Sequence, residues 1–174
     1  SLEQQAGPYS FKAEGFYNNF TQLVIENAAQ DPASGNNIPF YSNSGKITSY
    51  GFELLAKVKE ESEQGLFGWA SYTWNRSRYI IHSTPDYSKY GQVWLNSPYD
   101  MPHVVKVVTG YTFGRHTLSS KFQYNTAVPY TPISSSYSDD EYTKLTGKPR
   151  NVPEYGKPYT KRLDPEYRLD LRYS

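Results

Sequence analysis

Six stretches of the chain alternate between apolar and polar residues with a period of two, which is the pattern of β-strands rather than helices. They predict strands over residues 9–18, 46–59, 66–79, 103–113, 116–127 and 162–173, with 21–26 as a candidate seventh. Successive side chains of a strand point to opposite faces, so each strand is predicted to have an apolar and a polar face. The last strand shows this most clearly, since Tyr or Leu at every odd position of 167–173 alternates with Arg or Asp.

The connections between these strands alternate between short and long. Residues 60–65 form one short connection and Gly114-Arg115 another, and a Gly-first pair suits a two-residue hairpin turn. The other three connections span 19–45, 80–102 and 128–161, although loops beyond about 12–15 residues are uncommon in compact soluble domains. Outer-membrane β-barrels have short periplasmic turns and longer external loops. The pattern therefore favours an all-β fold, namely antiparallel transmembrane strands from a barrel wall.

The apolar face has two interpretations. In a membrane barrel it contacts lipid, where a charge would cost about 2–4 kcal/mol at mid-membrane. In a soluble antiparallel sheet the same face packs on a core. The alternatives to a segment of a large barrel are a soluble, lipocalin-like binding module and a small eight-stranded outer-membrane barrel. The membrane interpretations predict six lipid-facing residues, which are Phe52, Leu54, Phe122, Tyr124, Leu169 and Leu171.

Aromatic residues are abundant, with 18 tyrosines and 3 tryptophans. Membrane barrels carry girdles of such residues at both lipid interfaces, whereas ordinary cross-strand pairing is the alternative role. Residues near strand ends predicted for girdles are Tyr9, Tyr17, Tyr50, Phe67, Trp69, Trp74, Tyr79, Tyr111, Phe113 and Tyr173. The polar faces carry charges that either line a ligand path or pair across strands, the second being favoured: Glu53, Lys57, Lys121, Arg168, Asp170 and Arg172.

The long loops contain the candidate ligand-binding residues. Flat, amphipathic rings stack on sugars or aromatic chelators, and binding residues concentrate on loops. Packing of the loops on themselves is the alternative role of these rings. The candidates are Tyr87, Tyr90, Trp94, Tyr99, Tyr130, Tyr137, Tyr142 and Tyr155, with Tyr159 close by.

Composition excludes several other functions. A net charge of +1 gives no attraction to nucleic acid, and a mean hydropathy of −0.76 without a long apolar run excludes a spanning helix. Cysteine is absent, and the three histidines lack metal-ligand spacing. The acidic run 139–141 is better explained as a solvated loop than as a calcium site. We therefore expect no catalytic residue, no metal and no cofactor.

Five motifs resemble consecutive parts of the C-terminal half of the barrel of TonB-dependent outer-membrane receptors. They are Gly51-Phe52-Glu53-Leu54-Leu55, the run 68–77, Ser97-Pro98-Tyr99-Asp100-Met101-Pro102-His103, Pro129-Tyr130-Thr131-Pro132, and Arg162-Leu163-Asp164 with 167–172. The third is similar to the family's Tyr-Asp-x-x-His, the fourth to its Pro-Tyr-Thr-Pro before an external loop, and the fifth to its Arg-Leu-Asp-Leu-Arg strand. Together they cover most of residues 9–174.

The resemblance implies a segment of a 22-stranded barrel with a plugged lumen, in the bacterial outer membrane. Its implied function is to bind and import a scarce ligand, such as an iron chelate, cobalamin or an oligosaccharide. The implied partners are outer-membrane lipid, the small-molecule ligand, the remaining barrel, the plug and the TonB complex. We expect residues 1–174 to form one barrel segment without a plug domain or a TonB-contacting segment, and without a terminal aromatic residue.

Overall fold

Seven antiparallel strands side by side form a single-layer wall. A computed structural model describes residues 1–30, 37–59, 64–80 and 94–174, with the backbone alone for 25–30 and 37–40. In spatial order the strands are β1 (Leu2–Ala6), β2 (Tyr9–Gln30), β3 (Asn37–Val58), β4 (Gly65–Ile80), β6 (His103–Phe113), β7 (His116–Asn125) and β12 (Glu166–Tyr173). The short β5 (Leu95–Asn96) pairs with β4 beyond the start of β6. This architecture confirms the predicted antiparallel barrel segment.

Short and long connections alternate as predicted, so the wall has a turn end and a loop end. At the turn end, Gly7-Pro8 and Gly114-Arg115 make two-residue turns between directly paired strands, and residues 59–64 make the third connection. Gly114 has a φ of +60°, which suits glycine in such a turn. At the loop end, β2 connects to β3, β4 to β6, and β7 to β12. Each connection returns the chain for the next antiparallel strand.

The long connection between β7 and β12 has secondary structure that the sequence pattern did not predict. It contains β8 (Pro129–Tyr130), β9 (Ile133–Ser138), α1 (Asp140–Thr146), β10 (Asn151–Tyr155) and β11 (Lys161–Arg162). β8 pairs with β11 and β9 pairs with β10. We call residues 129–162 the arm. No helix among the described residues is long and apolar enough to span a membrane.

Three predicted boundaries were wrong. The seventh strand is β1 and not residues 21–26, which lie within β2. Much of the predicted loop 19–45 is a two-stranded ribbon, because β2 and β3 stay paired beyond the end of the β3–β4 pairing. The ribbon shows no period-two alternation of apolar and polar residues, and its register shifts on both sides of Leu23, so its sequence resembles a loop. Arg162 belongs to β11, and β12 begins at Glu166, after Pro165, which cannot donate a ladder hydrogen bond.

The register separates an uncharged face from a charged face. Directly opposed residues in an antiparallel pair project from the same side. From Phe52 toward the turn end, the pairs run across to β12 without meeting a charged residue in the described wall, whereas toward the loop end Tyr50 opposes Arg76. The uncharged face comprises Leu2, Gln4 and Ala6, the odd positions of 9–17, the even positions of 50–58 and 66–74, the odd positions of 103–113, the even positions of 116–124, and the odd positions of 167–173.

The six residues predicted to face lipid all lie on the uncharged face. Phe52 and Leu54 oppose Trp74 and Tyr72, Phe122 opposes Leu169, Tyr124 opposes Tyr167, and Leu171 opposes Ser120. Phe52 and Trp74 stack with ring centroids 5.8 Å apart. Side chains this large are ordinarily buried in a soluble protein, but Leu169 and Leu171 remain 61% and 72% exposed. The wall therefore presents a continuous apolar surface.

The girdle prediction was wrong for Phe67, Trp69 and Tyr79. They occupy odd positions of β4, and Trp69 directly opposes Lys57, which places them on the charged face. Nearness to a strand end had suggested a girdle, but parity decides the face. Phe67 instead covers Gly110, where an added Cβ would lie 2.2 Å from its ring. The other seven predicted girdle residues lie on the uncharged face.

Buried side chains concentrate at the loop end rather than within the single-layer wall. The most buried include Leu95, Ser97, Asp100, Ala127 and Pro158. All five belong to the connections before β6 and after β7. The connections, rather than the wall, therefore form what core this segment has.

Replacing Gly51 by alanine is expected to destabilise the wall by about 1–3 kcal/mol, the usual cost of overpacking. An added Cβ would lie 2.1 Å from the backbone oxygen of Trp74 and 2.8 Å from the Phe16 ring. Urea unfolding of the bilayer-folded protein measures the loss. Gly15→Ala is the matched control, because its nearest contact would be 3.9 Å. Equal stability of the two variants would contradict this close packing.

Candidate functional site at the loop end

The arm presents a hairpin with an exposed tyrosine on each side. Tyr137 opposes Val152, so these two residues share one side of β9–β10. Tyr155 lies three residues after Val152 and opposes Ile133, so this second pair projects from the other side. Tyr137 and Tyr155 are 59% and 49% exposed. On each side, a tyrosine beside an aliphatic side chain can stack on a flat or sugar-like ligand.

A polar pair lies on the same side of the hairpin as Tyr137. Ser135 opposes Glu154, and its hydroxyl donates a hydrogen bond to the Glu154 carboxylate. A register shift falls between Glu154 and Tyr155, and the Ser134 hydroxyl donates to the Glu154 carbonyl oxygen at 3.0 Å. This side thus carries a carboxylate close to one aromatic ring. A few polar groups among apolar ones are typical of small-molecule sites.

Helix α1 closes the arm and explains the acidic run. The Asp139 side chain accepts a hydrogen bond from the Tyr142 amide at 3.0 Å, which makes Asp139 the N-cap. Arg150 lies 3.9 Å from the Asp139 carboxylate and 5.1 Å from the centre of the Tyr142 ring. Asp139 and Tyr142 therefore have structural partners. Within the described residues, no group of three or more Asp, Glu, His or Cys side chains is arranged to hold a metal ion.

The predicted ligand-binding aromatics fall in two connections. Tyr87 and Tyr90 lie outside the described residues. Trp94 and Tyr99 lie between β4 and β6 and are exposed. Tyr130, Tyr137, Tyr142 and Tyr155 lie in the arm, where Tyr137 and Tyr155 project from opposite sides of the hairpin. Strand pairing in the arm therefore distributes the predicted set over different surfaces.

Tyr159 links the two connections. Its ring meets the Tyr79 ring edge-on, with centroids 5.8 Å apart. The Asn96 side chain donates a hydrogen bond to its carbonyl oxygen at 3.0 Å, and its own amide donates to the Thr131 hydroxyl at 3.3 Å. Its φ of +52° is uncommon for a non-glycine residue, and surrounding contacts must maintain such a conformation. Tyr159 therefore fixes the arm against β4 and β5.

Asp100 is the centre of a buried ionic cluster that the sequence did not reveal. Its side chain is fully buried and pairs with the guanidinium groups of Arg162 and Arg76, the latter at 3.5 Å. The Ser77 amide donates to the same carboxylate at 2.7 Å. Arg162 also donates to the carbonyl oxygens of Asp100 and Ala127. The motif residues Asp100 and Arg162 thus join β4, the β4–β6 connection and the base of the arm.

Charges on the charged face pair along strands rather than across them. Lys12 lies 2.8 Å from Glu14, and Arg168 lies 2.9 Å from Asp170. Asp170 opposes Lys121 and Arg172 opposes Ser119, but no cross-strand ion pair forms on this face among the described residues. The predicted cross-strand pairing was therefore wrong. Two-residue spacing puts opposite charges side by side on one face, which makes the along-strand contact available.

Two histidines mark opposite ends of the uncharged face. The Tyr72 hydroxyl lies 2.9 Å from Nδ1 of His103, and the Tyr173 hydroxyl lies 2.6 Å from Nδ1 of His116. Each pair of rings also stacks, with centroids 6.1 and 5.6 Å apart respectively. These contacts give both histidines a structural role. His82 lies outside the described residues.

An antiparallel wall with one uncharged and one charged face, short turns at one end and long connections at the other, is a segment of a transmembrane β-barrel. Residues 2–173 match the family described as TonB dependent receptor-like, beta-barrel, and the chain belongs to this family. The match confirms the resemblance of the sequence motifs and favours the large barrel over the lipocalin-like and eight-stranded alternatives. No curated protein matches the sequence.

A solved structure supports the same fold. The chain is similar to the outer membrane transporter YddB from Escherichia coli, with 14% identity and a TM-score of 0.57. The match covers 98% of this chain and 24% of that one. The chain therefore spans about a quarter of the transporter's length. At this identity the likeness shows the fold alone.

Replacing Asp100 by asparagine is expected to release the arm from the wall. The change leaves Arg162 without its buried anionic partner, and breaking a buried ion pair typically costs about 3–5 kcal/mol. Hydrogen exchange should accelerate at residues 129–162 and remain slow in β3 and β4. Asp164→Asn is the control, because Asp164 is exposed and lies in the same motif as Arg162. Equal exchange in both variants would show that the cluster does not hold the arm.

Proposed function

We propose that this chain is part of the wall of an outer-membrane receptor that binds and imports a scarce ligand. The observation that carries this proposal is the uncharged face, which continues across all seven strands while the charged face lies behind it. Lipid contact explains why Phe52, Leu54, Phe122, Tyr124, Leu169 and Leu171 share the uncharged face. Membership of the TonB-dependent receptor barrel family supports transport as the activity.

The proposed ligand contacts lie in the loop-end connections. Trp94, Tyr99 and Tyr130 are exposed in the loop-end connections, and Tyr137 and Tyr155 are exposed on opposite sides of the hairpin of the arm. Tyr142, Tyr87 and Tyr90 complete the set proposed from the sequence. An iron chelate, cobalamin or an oligosaccharide each offers surfaces on which tyrosine rings stack. The charged face would line the route from this site through the barrel.

We propose the bacterial outer membrane as the location of the protein. Residues 1–174 would act as one barrel segment without a plug domain, with the remaining barrel strands, a plug and the TonB complex as partners. We propose no enzymatic activity, no cofactor and no nucleic-acid partner.

Lipid contact can be tested with spin labels in the full-length protein that carries this segment. The 174 residues of this segment contain no cysteine. Phe52→Cys and Glu53→Cys therefore introduce labels at adjacent positions that point to opposite faces of the wall. Oxygen concentrates in hydrocarbon, whereas a nickel chelate stays in water. The label at 52 should respond to oxygen and the label at 53 to nickel. Nickel access at both positions would remove the support for a membrane wall.

Ligand binding can be tested at Tyr137, which is exposed on the hairpin of the arm. Full-length receptor is titrated with a ferric catecholate chelate, cyanocobalamin and maltoheptaose. Tyr137→Ala should weaken the one that binds by about 2–12-fold, since aromatic stacking contributes about 0.5–1.5 kcal/mol. Tyr167→Ala is the control, because Tyr167 is also exposed but lies on the uncharged face of β12. A loss in the control alone would place the ligand elsewhere.

A further inference from the structure

Four side chains with hydrogen-bonding groups lie together on the charged face, at the loop end of β7 and β12. Asn125 opposes Glu166 and Gln123 opposes Arg168, so the register places all four on one side of the wall. The arm begins at residue 129 and ends at residue 162, so these four residues lie at its base. We call them the polar patch.

Most of the polar patch has no side-chain partner within the described protein. Gln123 and Asn125 are half-buried, and neither their carboxamides nor the Glu166 carboxylate forms a hydrogen bond with a residue that the structure describes. The Arg168 Nε donates to Asp170 at 2.9 Å, which leaves the other donors of its guanidinium group. Carboxamides both donate and accept hydrogen bonds, whereas a carboxylate accepts and a guanidinium donates. The patch therefore offers both kinds of group to a ligand.

A cavity of about 440 Å³ is lined by the four residues of the patch, together with Pro165 and Tyr167. Small-molecule sites usually have volumes of about 300–1,000 Å³. Directly opposed strand residues are about 5 Å apart, and alternate residues of one strand are about 7 Å apart. The patch thus covers an area comparable with one sugar ring and its hydroxyl groups, which themselves both donate and accept hydrogen bonds.

The charges at this site favour a neutral ligand. Glu166 and Arg168 carry opposite charges, as do the next charged residues that oppose each other, Lys121 and Asp170. The patch therefore has no excess of positive charge with which to bind an anionic ferric chelate. Cyanocobalamin is uncharged overall, but it is much larger than a cavity of this volume. An oligosaccharide fits better, because it is neutral and places one ring at a time in the cavity.

We propose that the polar patch binds one ring of a neutral oligosaccharide, and that this class of molecule is the ligand of the receptor. The inference rests on the proposed function, because it selects one of the ligand classes named there. Tyr137 offers a second contact to a longer chain, since its exposed ring lies on the same side of the hairpin as the Glu154 carboxylate. The arm and the patch would then bind successive parts of one ligand.

The test uses the full-length protein in detergent micelles and isothermal titration calorimetry. The titrants are neutral oligosaccharides of glucose, xylose, mannose, galactose and N-acetylglucosamine, a ferric catecholate chelate and cyanocobalamin. We expect one of the oligosaccharides to bind most tightly. Absence of binding by every oligosaccharide, or tighter binding of the chelate or of cyanocobalamin, would overturn the proposal.

Two variants test whether the patch makes the contact. Gln123→Met/Asn125→Leu should weaken binding of that oligosaccharide by about 5–150-fold, because each lost hydrogen bond weakens it by about 2–12-fold. Gln5→Met is the matched control and should bind normally, since Gln5 is exposed and opposes Ser10 on the charged face at the turn end. Equal losses in both variants would overturn the site. So would a double variant that unfolds at lower urea concentration but binds normally, because the amides would then have only a structural role.

The charge of the ligand gives an independent readout. Glu166→Gln should weaken binding of the oligosaccharide, because a carboxylate is a stronger hydrogen-bond acceptor than an amide. The affinity of the parent protein should be the same in about 0.1 M and about 1 M salt, since salt screens charges and this ligand has none. An anionic ligand would bind more tightly to Glu166→Gln and more weakly in high salt. That result would overturn the assignment of a neutral ligand.

Failure of the inference is distinguishable from failure of the proposed function. If the label at position 52 reports lipid while the ferric chelate binds most tightly, the wall is a membrane wall and the oligosaccharide alone is wrong. If the label at position 52 reports water, the membrane assignment fails, and the inference about the ligand of a receptor fails with it.

Discussion

The strand register is the constraint on which the rest of this wall depends. Side chains alternate between faces, so a slip of one residue in β12 would move Arg168 and Asp170 to the uncharged side. At the middle of a membrane such a charge costs about 2–4 kcal/mol. Two-residue turns at Gly7-Pro8 and Gly114-Arg115 set the register from the turn end, because they leave no slack between the strands. Correct pairing at these turns thus places every later side chain.

Beyond the loop end of the wall, side-chain hydrogen bonds and ion pairs replace the hydrogen bonds between strands as the main contacts that hold the chain in place. The β4–β6 connection and the arm have few paired residues, so hydrogen bonds and ion pairs must hold them. Asp100 satisfies this need because one carboxylate binds two guanidinium groups and the Ser77 amide. A fully buried charge is tolerable only with such partners. Tyr159 adds a second attachment through Asn96 and Thr131. Two independent attachments fix the base of the arm, while Tyr137 and Tyr155 of its hairpin stay exposed.

The sequence predicted the wall better than the loop end, for physical reasons. Alternation along β6 and β12 follows from a local rule, so the faces and the lipid-facing candidates could be read residue by residue. The β2–β3 ribbon follows no such rule, because its register shifts on both sides of Leu23 and its residues do not alternate between apolar and polar. The pairing of Asp100 with Arg162 joins residues 62 positions apart, and nothing local to either motif indicates the partner. The register shift beside Glu154 likewise depends on pairing with β9 and leaves no periodic signal.

Arg76 lies where the loop-end cluster meets the membrane-facing surface, and its contacts decide which of the two it serves. Its side chain is 38% exposed, whereas its partner Asp100 is fully buried. Removing Arg76 would leave the buried Asp100 carboxylate with one positive partner fewer, and removing one partner of a buried ion pair is strongly destabilising. Arg76 therefore stabilises the loop end, although the register places it on the side of Tyr50 and Trp74.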